Sequence, residues 1–357
     1  MEGRAFEIRW MKVRLVFKFS SIRGLMLGAA LLAAVNVGLP FLSAETAFGA
    51  SAIVRTPSDF QSKLDGLARR ARPGTFGIVV LDLKTGRRWA VNAGRAFPMM
   101  SVFKAPLGAA VLARIDAGEI SPKQTIEIKR ADLRLGASRI AKEFRGDSMT
   151  FTVDQLLASA VSRSDNTAAD ALVKLVGGPQ AVTAYLRDHG IDSMRVDLDE
   201  RGIEHVFSGL SSEAGPPANE TAKEREARRW RGVQAFLDDP RNRATPIAAA
   251  EFLQKLWRGE LLSERATREL LDLMYGQTVP ARLSAGLPAG VRLAHKSGTS
   301  LSMRGVTAAF NDIGILTWPD GHAVVVAAFL TGSHASRVER SKLFADLARE
   351  TAAALHP

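Results

Sequence analysis

Cysteine is absent from this sequence, so the chain can form no disulfide and offers no thiol nucleophile. Its six histidines are dispersed, and none belongs to an H-E-x-x-H pattern or to another paired spacing of metal ligands. The formal net charge of +11 comes from scattered basic residues, without the aromatic-interleaved basic stripe or the modules typical of nucleic-acid binding. We therefore expect no metal, no cofactor and no nucleic-acid partner.

The composition is that of a globular protein. With 46% hydrophobic and 24% charged residues, the chain has ample material for a core. Its 357 residues exceed one typical domain of about 150, so one large domain or two intertwined domains are expected. We expect the protein to be monomeric and, without disulfides, to be stabilised by packing alone.

The N-terminus has the pattern of an export signal. A basic region precedes 18 uncharged residues over positions 25–42, and the small residues Ala50, Ser51 and Ala52 supply a cleavage site. Residues 1–52 are therefore predicted to be a signal peptide cleaved near Ala52, which would make the mature protein periplasmic or secreted. A retained membrane anchor is the alternative, because a run of this length is near the lower limit for spanning a bilayer.

Strand patterns occur at both ends of the mature chain, and helical patterns lie between them. "TFGIVVLDL" and "RRWAVNAG" are joined by a hairpin turn, and strands return in "VRLAHKSG", "TAAFNDIGILTW" and "HAVVVAAFLTG" before a final helix. This order predicts an α+β fold, an α/β sandwich whose antiparallel sheet of about five strands is completed by both termini and flanked by helices. Residues 53–100 and 277–357 would form this α/β domain, and residues 101–276 an inserted all-helical domain, with a ligand cleft between them.

Ser101 and Lys104 stand out because they lie three residues apart in the otherwise apolar segment "FPMMSVFKAPLGAAVL". In a helix this spacing places both side chains on one face. The alternative is that Ser101 caps the helix and Lys104 extends into solvent. Burial is favoured, because the helix is apolar on all sides and a buried lysine requires a function.

Two further groups follow along the chain. "SRSDNTAAD" places Ser164, Asp165 and Asn166 just before a helix, where helix capping is the alternative role. In "VRLAHKSGTS", Lys296 begins a K-S-G group at the end of a strand, where the alternative is a turn, and Gly298 allows a ligand to approach the backbone.

The order S-x-x-K, S-D-N and K-S-G resembles the class A serine β-lactamase family, within the superfamily of penicillin-binding-protein-like serine hydrolases. The similarity runs from about Phe60 to Leu355 and includes "FPMMSVFK", "SDNTAAD", "RATP" and "NDIGILTWPDGH". It implies a β-lactamase/DD-peptidase-like fold and an enzyme that opens β-lactam rings through an acyl-enzyme.

The resemblance also assigns roles to individual residues. Ser101 would be the nucleophile, Lys104 its base once deprotonated in the buried site, and Ser164 the relay that carries a proton to the leaving nitrogen. The backbone N–H groups of Ser101 and Thr299 would form the oxyanion hole. The substrate, through its side-chain amide and its carboxylate, would contact Asn166, Lys296, Ser297, Gly298, Thr299 and, as a further candidate, Arg304.

Deacylation in this family uses a glutamate that activates a water, and counting 36 residues on from Ser164 without a gap identifies Glu200. The alternative is that Glu200 is one more charge in the polar run "RVDLDERGIEH". Beyond it the chain departs from the family, because Glu204 takes the place of an asparagine and a loop insertion occupies about 205–242. A second carboxylate beside the first would disfavour the ionisation of one of them. The first half of the insertion is rich in Gly, Ser and Pro and is predicted to be irregular, whereas its second half is predicted to be a charged helix. This charged segment is either a solvated face only or part of a loop that reshapes access to the cleft.

Three functions remain open at this point. The first is a β-lactamase, which Glu200 favours. The second is a penicillin-binding or D-Ala-D-Ala peptidase-like protein that acylates but deacylates poorly and acts on peptidoglycan stem peptides, which Glu204 and the insertion favour. The third is a non-enzymatic sensor of β-lactams or peptidoglycan, which a retained anchor over residues 25–42 would favour.

Overall fold

A computed structural model describes residues 57–210, 215–279 and 282–356 of the chain. The predicted signal peptide and its cleavage site lie outside the described residues. Within those three ranges, no helix is both long enough and apolar enough to cross a membrane.

Helices form most of the middle of the chain and flank the strands at both ends. The α-helices are α1 (Pro57–Arg70), α2 (Lys104–Asp116), α3 (Arg139–Glu143), α4 (Val153–Leu157), α5 (Asn166–Leu175), α6 (Pro179–Asp188), α7 (Glu200–Ser208), α8 (Ala222–Asp238), α9 (Pro246–Trp257), α10 (Glu264–Tyr275) and α11 (Arg337–Leu355). Short 3₁₀ turns occur at Met100–Phe103, Arg130–Asp132 and Ser284–Gly286, and one π-helical turn at Ala158–Ser162.

The strands are concentrated at the two ends of the described chain. They are β1 (Thr75–Asp82), β2 (Arg88–Val91), β3 (Phe97–Pro98), β4 (Thr125–Lys129), β5 (Ser148–Thr152), β6 (Arg243–Ala244), β7 (Arg292–Thr299), β8 (Ser302–Met303), β9 (Val306–Thr317) and β10 (Ala323–Ser333). The main sheet has the order β2-β1-β10-β9-β7, and the short β8 pairs with β9. All of these pairs are antiparallel. The predicted sheet, completed by both ends of the chain, is confirmed.

Both faces of the sheet are covered. Alternate side chains of β1 point to opposite faces and pack in two different cores. Ile78 and Val80 pack in the core formed with α1 and α11, whereas Val79 and Leu81 pack in the larger core on the helical side. Nearly every residue of β9 is buried, because each face of this strand meets apolar side chains. The predicted boundaries of the two domains, at residues 100 and 276, stay predictions.

The insertion at about 205–242 contains the end of α7 and the whole of α8, and these two helices pack together. A charged helix was predicted for its second half, and α8 confirms it. The first half was predicted to be irregular, which is wrong for residues 205–208, because they continue α7 beyond its cap at Asp199. The two helices approach closely at Gly232, where a Cβ atom would lie 2.5 Å from the carbonyl oxygen of Phe207.

Candidate active site

Ser101 lies in a 3₁₀ turn that runs directly into α2. Met99 is the N-cap of this turn and Phe103 that of α2, and neither helix start has a side-chain cap, so the capping role considered for Ser101 is wrong. Met100 has a φ of 48°, in the left-handed region that costs a side-chain-bearing residue conformational energy. This turn, Met100–Phe103, carries the predicted nucleophile and is called the nucleophile turn. It needs support from the rest of the fold.

Asn311 and Gly298 provide that support. The buried Asn311 donates from Nδ2 to the carbonyl oxygens of Pro98 and Met99, at 2.7 and 3.1 Å, and its Oδ1 accepts from Leu330 N–H at 3.2 Å. A Cβ atom on Gly298 would lie 2.3 Å from the carbonyl oxygen of Met99. Only glycine therefore lets β7 lie against the nucleophile turn, which brings the K-S-G group to Ser101.

Lys104 is fully buried and has three acceptors. Its Nζ donates to Ser164 O at 2.8 Å and to Asn166 Oδ1 at 2.7 Å, and it pairs with Glu200 Oε1 at 2.8 Å. Three acceptors match the three N–H bonds of an ammonium group. The same Glu200 oxygen lies 3.5 Å from Ser101 Oγ, so one carboxylate oxygen contacts both the serine and the lysine.

Within the S-D-N group, Asp165 caps a helix, whereas Ser164 and Asn166 contact the buried lysines. Asp165 is the N-cap of α5, where its side chain accepts from Ala168 N–H at 3.0 Å, so capping is confirmed for this residue. Ser164 has a φ of 59° and is buried. Asn166 binds Lys104 and donates from Nδ2 to Leu135 O at 3.1 Å. Ser164 and Asn166 therefore belong to the polar centre of the site.

Lys296 enters the same centre from β7. Its fully buried Nζ donates to Ser164 Oγ at 3.0 Å and to the carbonyl oxygen of Ser297 at 3.1 Å. The pKa of Lys296 is well below its ordinary value, mainly because the side chain is buried and secondly because Lys104 is positively charged. Ser164 is thus in contact with two lysines, through its hydroxyl and its carbonyl, and its hydroxyl is placed to receive and pass on a proton.

Glu200 is held at the first turn of α7 by a buried carboxylate. Asp170 accepts from the backbone N–H groups of Glu200, at 2.7 Å, and of Arg201, at 3.2 Å, and it also pairs with Arg134. Glu200 itself is only 7% exposed. The position of its carboxylate is therefore determined by an aspartate 30 residues earlier in the chain.

Asn242 connects the Glu200 loop to the nucleophile turn. Its Oδ1 accepts from the backbone N–H groups of Asp197 and Leu198, at 2.7 and 2.8 Å, and its Nδ2 donates to Leu198 O at 2.8 Å. Its backbone carbonyl accepts from Met99 N–H at 3.0 Å. One buried residue therefore fixes both the segment before Glu200 and the segment before Ser101.

We expect Asp170 to make stability depend on pH. Burial, followed by the negative charge of Asp199, raises the pKa of Asp170 from 3.8 to about 6. Because the folded state then binds the proton more tightly than the unfolded state, the free energy of unfolding should fall as pH rises from about 4 to about 6, by at most about 3 kcal/mol. Urea unfolding across this range should show a smaller decrease in Asp170→Asn than in the wild type. Equal slopes in the two proteins would contradict this expectation.

A buried arginine that the sequence analysis missed lies beside Thr299. The guanidinium of Arg282 donates to the carbonyl oxygens of Gly298 and Asn311 and to Thr299 Oγ1, and it stacks 3.7 Å from the ring centroid of Phe310. Burial, with the nearby arginines of α11, lowers its pKa to about 10. Together with Lys296 it places two cations at the end of β7, where an anionic group of a ligand can bind.

Arg304, which was predicted as a further candidate for binding the substrate carboxylate, lies in the turn between β8 and β9. Its Nε is 3.1 Å from a Glu226 carboxylate oxygen, and its guanidinium lies 5.5 Å from the ring centroid of Trp230. Both partners belong to α8 of the insertion. The contacts of Arg304 are thus with the insertion, while those of Arg282 are with Thr299.

Glu204, which was expected to disturb Glu200, lies one turn further along α7. Among the described residues its carboxylate forms no hydrogen bond or ion pair, whereas that of Glu200 contacts Lys104 and Ser101. In the same part of the chain, no cluster of three or more His, Asp or Glu residues is arranged to hold a metal ion.

Several residues of this site were not predicted, although Asn311 begins the quoted "NDIGILTWPDGH". Arg282, Asn242 and Asn311 act through contacts with residues 16 to 213 positions away in the chain. Asp170 had a weak signal, because it ends the quoted "SDNTAAD" and lies one helical turn after Asn166.

Known proteins share both the sequence and the fold. The extended-spectrum β-lactamase PER-1 of Pseudomonas aeruginosa is 33% identical over 280 residues, which cover 78% of this chain and 82% of PER-1. The β-lactamase VEB-1 of the same organism is 28% identical over 79% of this chain and 86% of its own length.

Solved structures agree. A β-lactamase from Chitinophaga pinensis DSM 2588 matches with a TM-score of 0.69 and 32% identity, over 82% of this chain and 97% of that one. An ancestral class A β-lactamase of Gram-negative bacteria matches with a TM-score of 0.67 and 34% identity, over 83% of this chain and 100% of that one. The model of the Beta-lactamase enzyme family matches residues 59–355, and this chain therefore belongs to that family, among its class A serine members.

Proposed function

We propose that the protein hydrolyses β-lactams through an acyl-enzyme on Ser101 that is released by a water activated by Glu200. The observation that carries this proposal is the Glu200 Oε1 atom, 3.5 Å from Ser101 Oγ and 2.8 Å from Lys104 Nζ. A carboxylate at this position can remove a proton from a water beside the acylated serine. The relatives PER-1 and VEB-1, which are named as β-lactamases, support the same reaction.

Acylation begins when Ser101 loses its proton. Transfer of a proton from Lys104 to Glu200, across 2.8 Å, leaves a neutral amine one helical turn after the serine. Ser101 Oγ then attacks the lactam carbonyl carbon as its proton passes to that amine. The backbone N–H groups of Ser101 and Thr299 stabilise the tetrahedral oxyanion, and one such donor is worth about 3 kcal/mol in the transition state.

Ring opening requires a proton on the leaving nitrogen. Ser164 Oγ supplies it as the carbon–nitrogen bond breaks, and the hydroxyl is restored from the lysine 3.0 Å away, Lys296. Before deacylation, Glu200 releases through solvent the proton that it took from Lys104, and Lys296 regains the proton that it gave to Ser164, so Glu200 is a carboxylate again. Glu200 then takes a proton from the attacking water, and the bond to Ser101 Oγ breaks as this proton is passed on to Oγ.

Substrate binding follows from the charges at the end of β7. Lys296, with Ser297, Thr299 and the missed Arg282, would bind the carboxylate of a β-lactam, since a guanidinium and an ammonium group complement that anion. Asn166 would bind the side-chain amide through its own amide group. Arg304 remains a further candidate for binding the substrate carboxylate. To do so it would have to leave its contacts with Glu226 and Trp230 of α8, and a structure with bound substrate tests this.

Hydrolysis of a chromogenic cephalosporin by the mature protein tests the proposal, together with intact-mass spectrometry after mixing with a penicillin. We expect turnover and a transient adduct of the mass of the intact penicillin, which peptide mapping should locate on Ser101. An adduct on another residue, or turnover without Ser101, would contradict the mechanism.

A penicillin-binding protein that acylates and deacylates slowly is the second candidate. Glu204, at the position where the family has an asparagine, and the α7–α8 insertion favour it. It predicts a long-lived adduct in the wild-type protein and little turnover. No adduct at all would favour a non-enzymatic sensor.

We also infer that the protein acts in the periplasm or outside the cell, as a monomer and without a metal ion. The signal pattern over residues 1–52 supports export. N-terminal mass mapping of the secreted protein tests this inference, with cleavage near Ala52 as the expected result. A retained N-terminus would instead indicate a membrane anchor.

A further inference from the structure

A cavity lined by cationic side chains lies on the face of the sheet that α1 and α11 cover. It has a volume of about 230 Å³ and is lined by residues from the end of α1, from β10 and from the first turns of α11. None of its lining residues belongs to the site around Ser101. Since a water occupies about 30 Å³ in the liquid, the cavity has room for a small ion with several waters.

Arg340 is the residue that makes this cavity unusual. Its side chain lines the cavity but is only 7% exposed, and Nη1 donates to the carbonyl oxygen of Ala335. Nε has no hydrogen-bond partner among the described residues, and none of their carboxylates pairs with this guanidinium. A buried cation without a counter-ion is costly, so an anion that pairs with it would be bound favourably.

The neighbouring charges leave the cavity positive. Arg70 and Lys342 line it, and both share a single carboxylate, that of Asp346, which Arg349 also contacts. The carboxylate of Glu339, which lines the cavity too, accepts from Ser336 N–H at 2.7 Å as part of the helix cap.

Two more cations lie close by. Arg337, in the first turn of α11, adds its charge to that of Arg340, and Arg282 stacks on the same Phe310 ring that Arg340 faces at 5.3 Å from the ring centroid. The N-terminus of α11 adds its own partial positive charge. Cations therefore outnumber carboxylates around Arg340.

We propose that this cavity is a binding site for a small oxyanion such as inorganic phosphate. The guanidinium of Arg340 pairs with the anion, and Arg70 and Lys342 contribute further charge from the rim. Phosphate fits this chemistry because a guanidinium presents parallel N–H donors to two oxygens of a tetrahedral anion. Ser333, which also lines the cavity, offers a hydroxyl group.

Thermal unfolding with millimolar inorganic phosphate, against chloride at equal ionic strength, tests the proposal. We expect phosphate to raise the Tm of the wild-type protein by about 2–4 °C at a concentration several times its Kd. The shift should vanish in Arg340→Gln. Arg337→Gln is the matched control, because it removes the same charge from the same helix at an exposed residue outside the cavity, and it should keep most of the shift.

Phosphate can also bind in the cleft, and Lys296→Gln separates the two locations, because Lys296 lies in the cleft and does not line the cavity. A shift that persists in Lys296→Gln and disappears in Arg340→Gln supports the cavity. A shift kept in Arg340→Gln, or lost equally in Arg337→Gln, overturns the proposal. Where Arg340→Gln fails to fold, the exposed Lys342→Gln decides, with a reduced shift expected and an unchanged one counting against the site.

Discussion

Glutamine in place of Glu200 is expected to convert a transient acyl-enzyme into a long-lived one. The amide keeps the volume of the side chain but cannot take a proton from the deacylating water, so deacylation should slow by about 10²–10⁴-fold. Acylation should still occur but more slowly, because Ser101 and Lys104 are retained whereas glutamine cannot accept the proton of Lys104. Intact-mass spectrometry after mixing with a penicillin, followed over time, measures both steps.

Glu204→Gln is the matched control for this change. It makes the same substitution in the same helix, one turn later, at a carboxylate without a hydrogen bond or ion pair among the described residues. We expect near wild-type deacylation in Glu204→Gln. A variant Glu200→Gln that still turns over at the wild-type rate would remove Glu200 from the mechanism, and a long-lived adduct in the wild type would favour the penicillin-binding candidate. Ser101→Ala should give no adduct.

Asn242→Ala is expected to destabilise the protein and to slow deacylation together. The change removes three partly buried hydrogen bonds and leaves two N–H groups and one carbonyl of residues 197 and 198 without partners. Unpaired buried groups cost about 1–3 kcal/mol each, so we expect the Tm to fall by about 5–10 °C. Because the freed segment leads directly to Glu200, the deacylation rate should fall as well.

Asn92→Ala supplies a close comparison. Asn92 has the same φ of 51° as Asn242, so both substitutions place alanine in the left-handed region at similar cost. Asn92 is exposed and makes one side-chain hydrogen bond, to the carbonyl oxygen of Phe76. The difference between the two variants in Tm, from calorimetry, therefore reports the side-chain contacts of Asn242. Equal losses of Tm and unchanged deacylation in both would show that Asn242 does not position the Glu200 loop.

The fold class could be predicted because its main signals are local. Buried strands such as β1 and β10 contain long apolar runs, and helices such as α5 and α9 begin at side-chain caps that the sequence displays. The error at residues 205–208 has a local cause too. Gly and Ser near the end of α7 suggested a loop, although Asp199 caps the helix and Ile203 is buried in the core.

Ser101, Lys104 and the S-D-N and K-S-G groups could be located because each group is a short motif with a fixed internal spacing. The distances between these groups could not be predicted, because they depend on how β7 lies against the turn at Met99, where Gly298 permits the contact. The sequence also did not show which residue of "SDN" caps the helix and which two contact lysines. This depends on the backbone conformation of Ser164.

The sequence by itself thus determined which side chains could do chemistry and on which kind of element each one lies. The tertiary structure alone decided what positions them: Asp170 and Asn242 beside the Glu200 loop, Asn311 behind the nucleophile turn, and Arg282 beside Thr299. The physical reason is that a hydrogen bond or an ion pair depends on distance in space. These partners lie between 16 and 213 positions apart in the chain, so no spacing in the sequence records them.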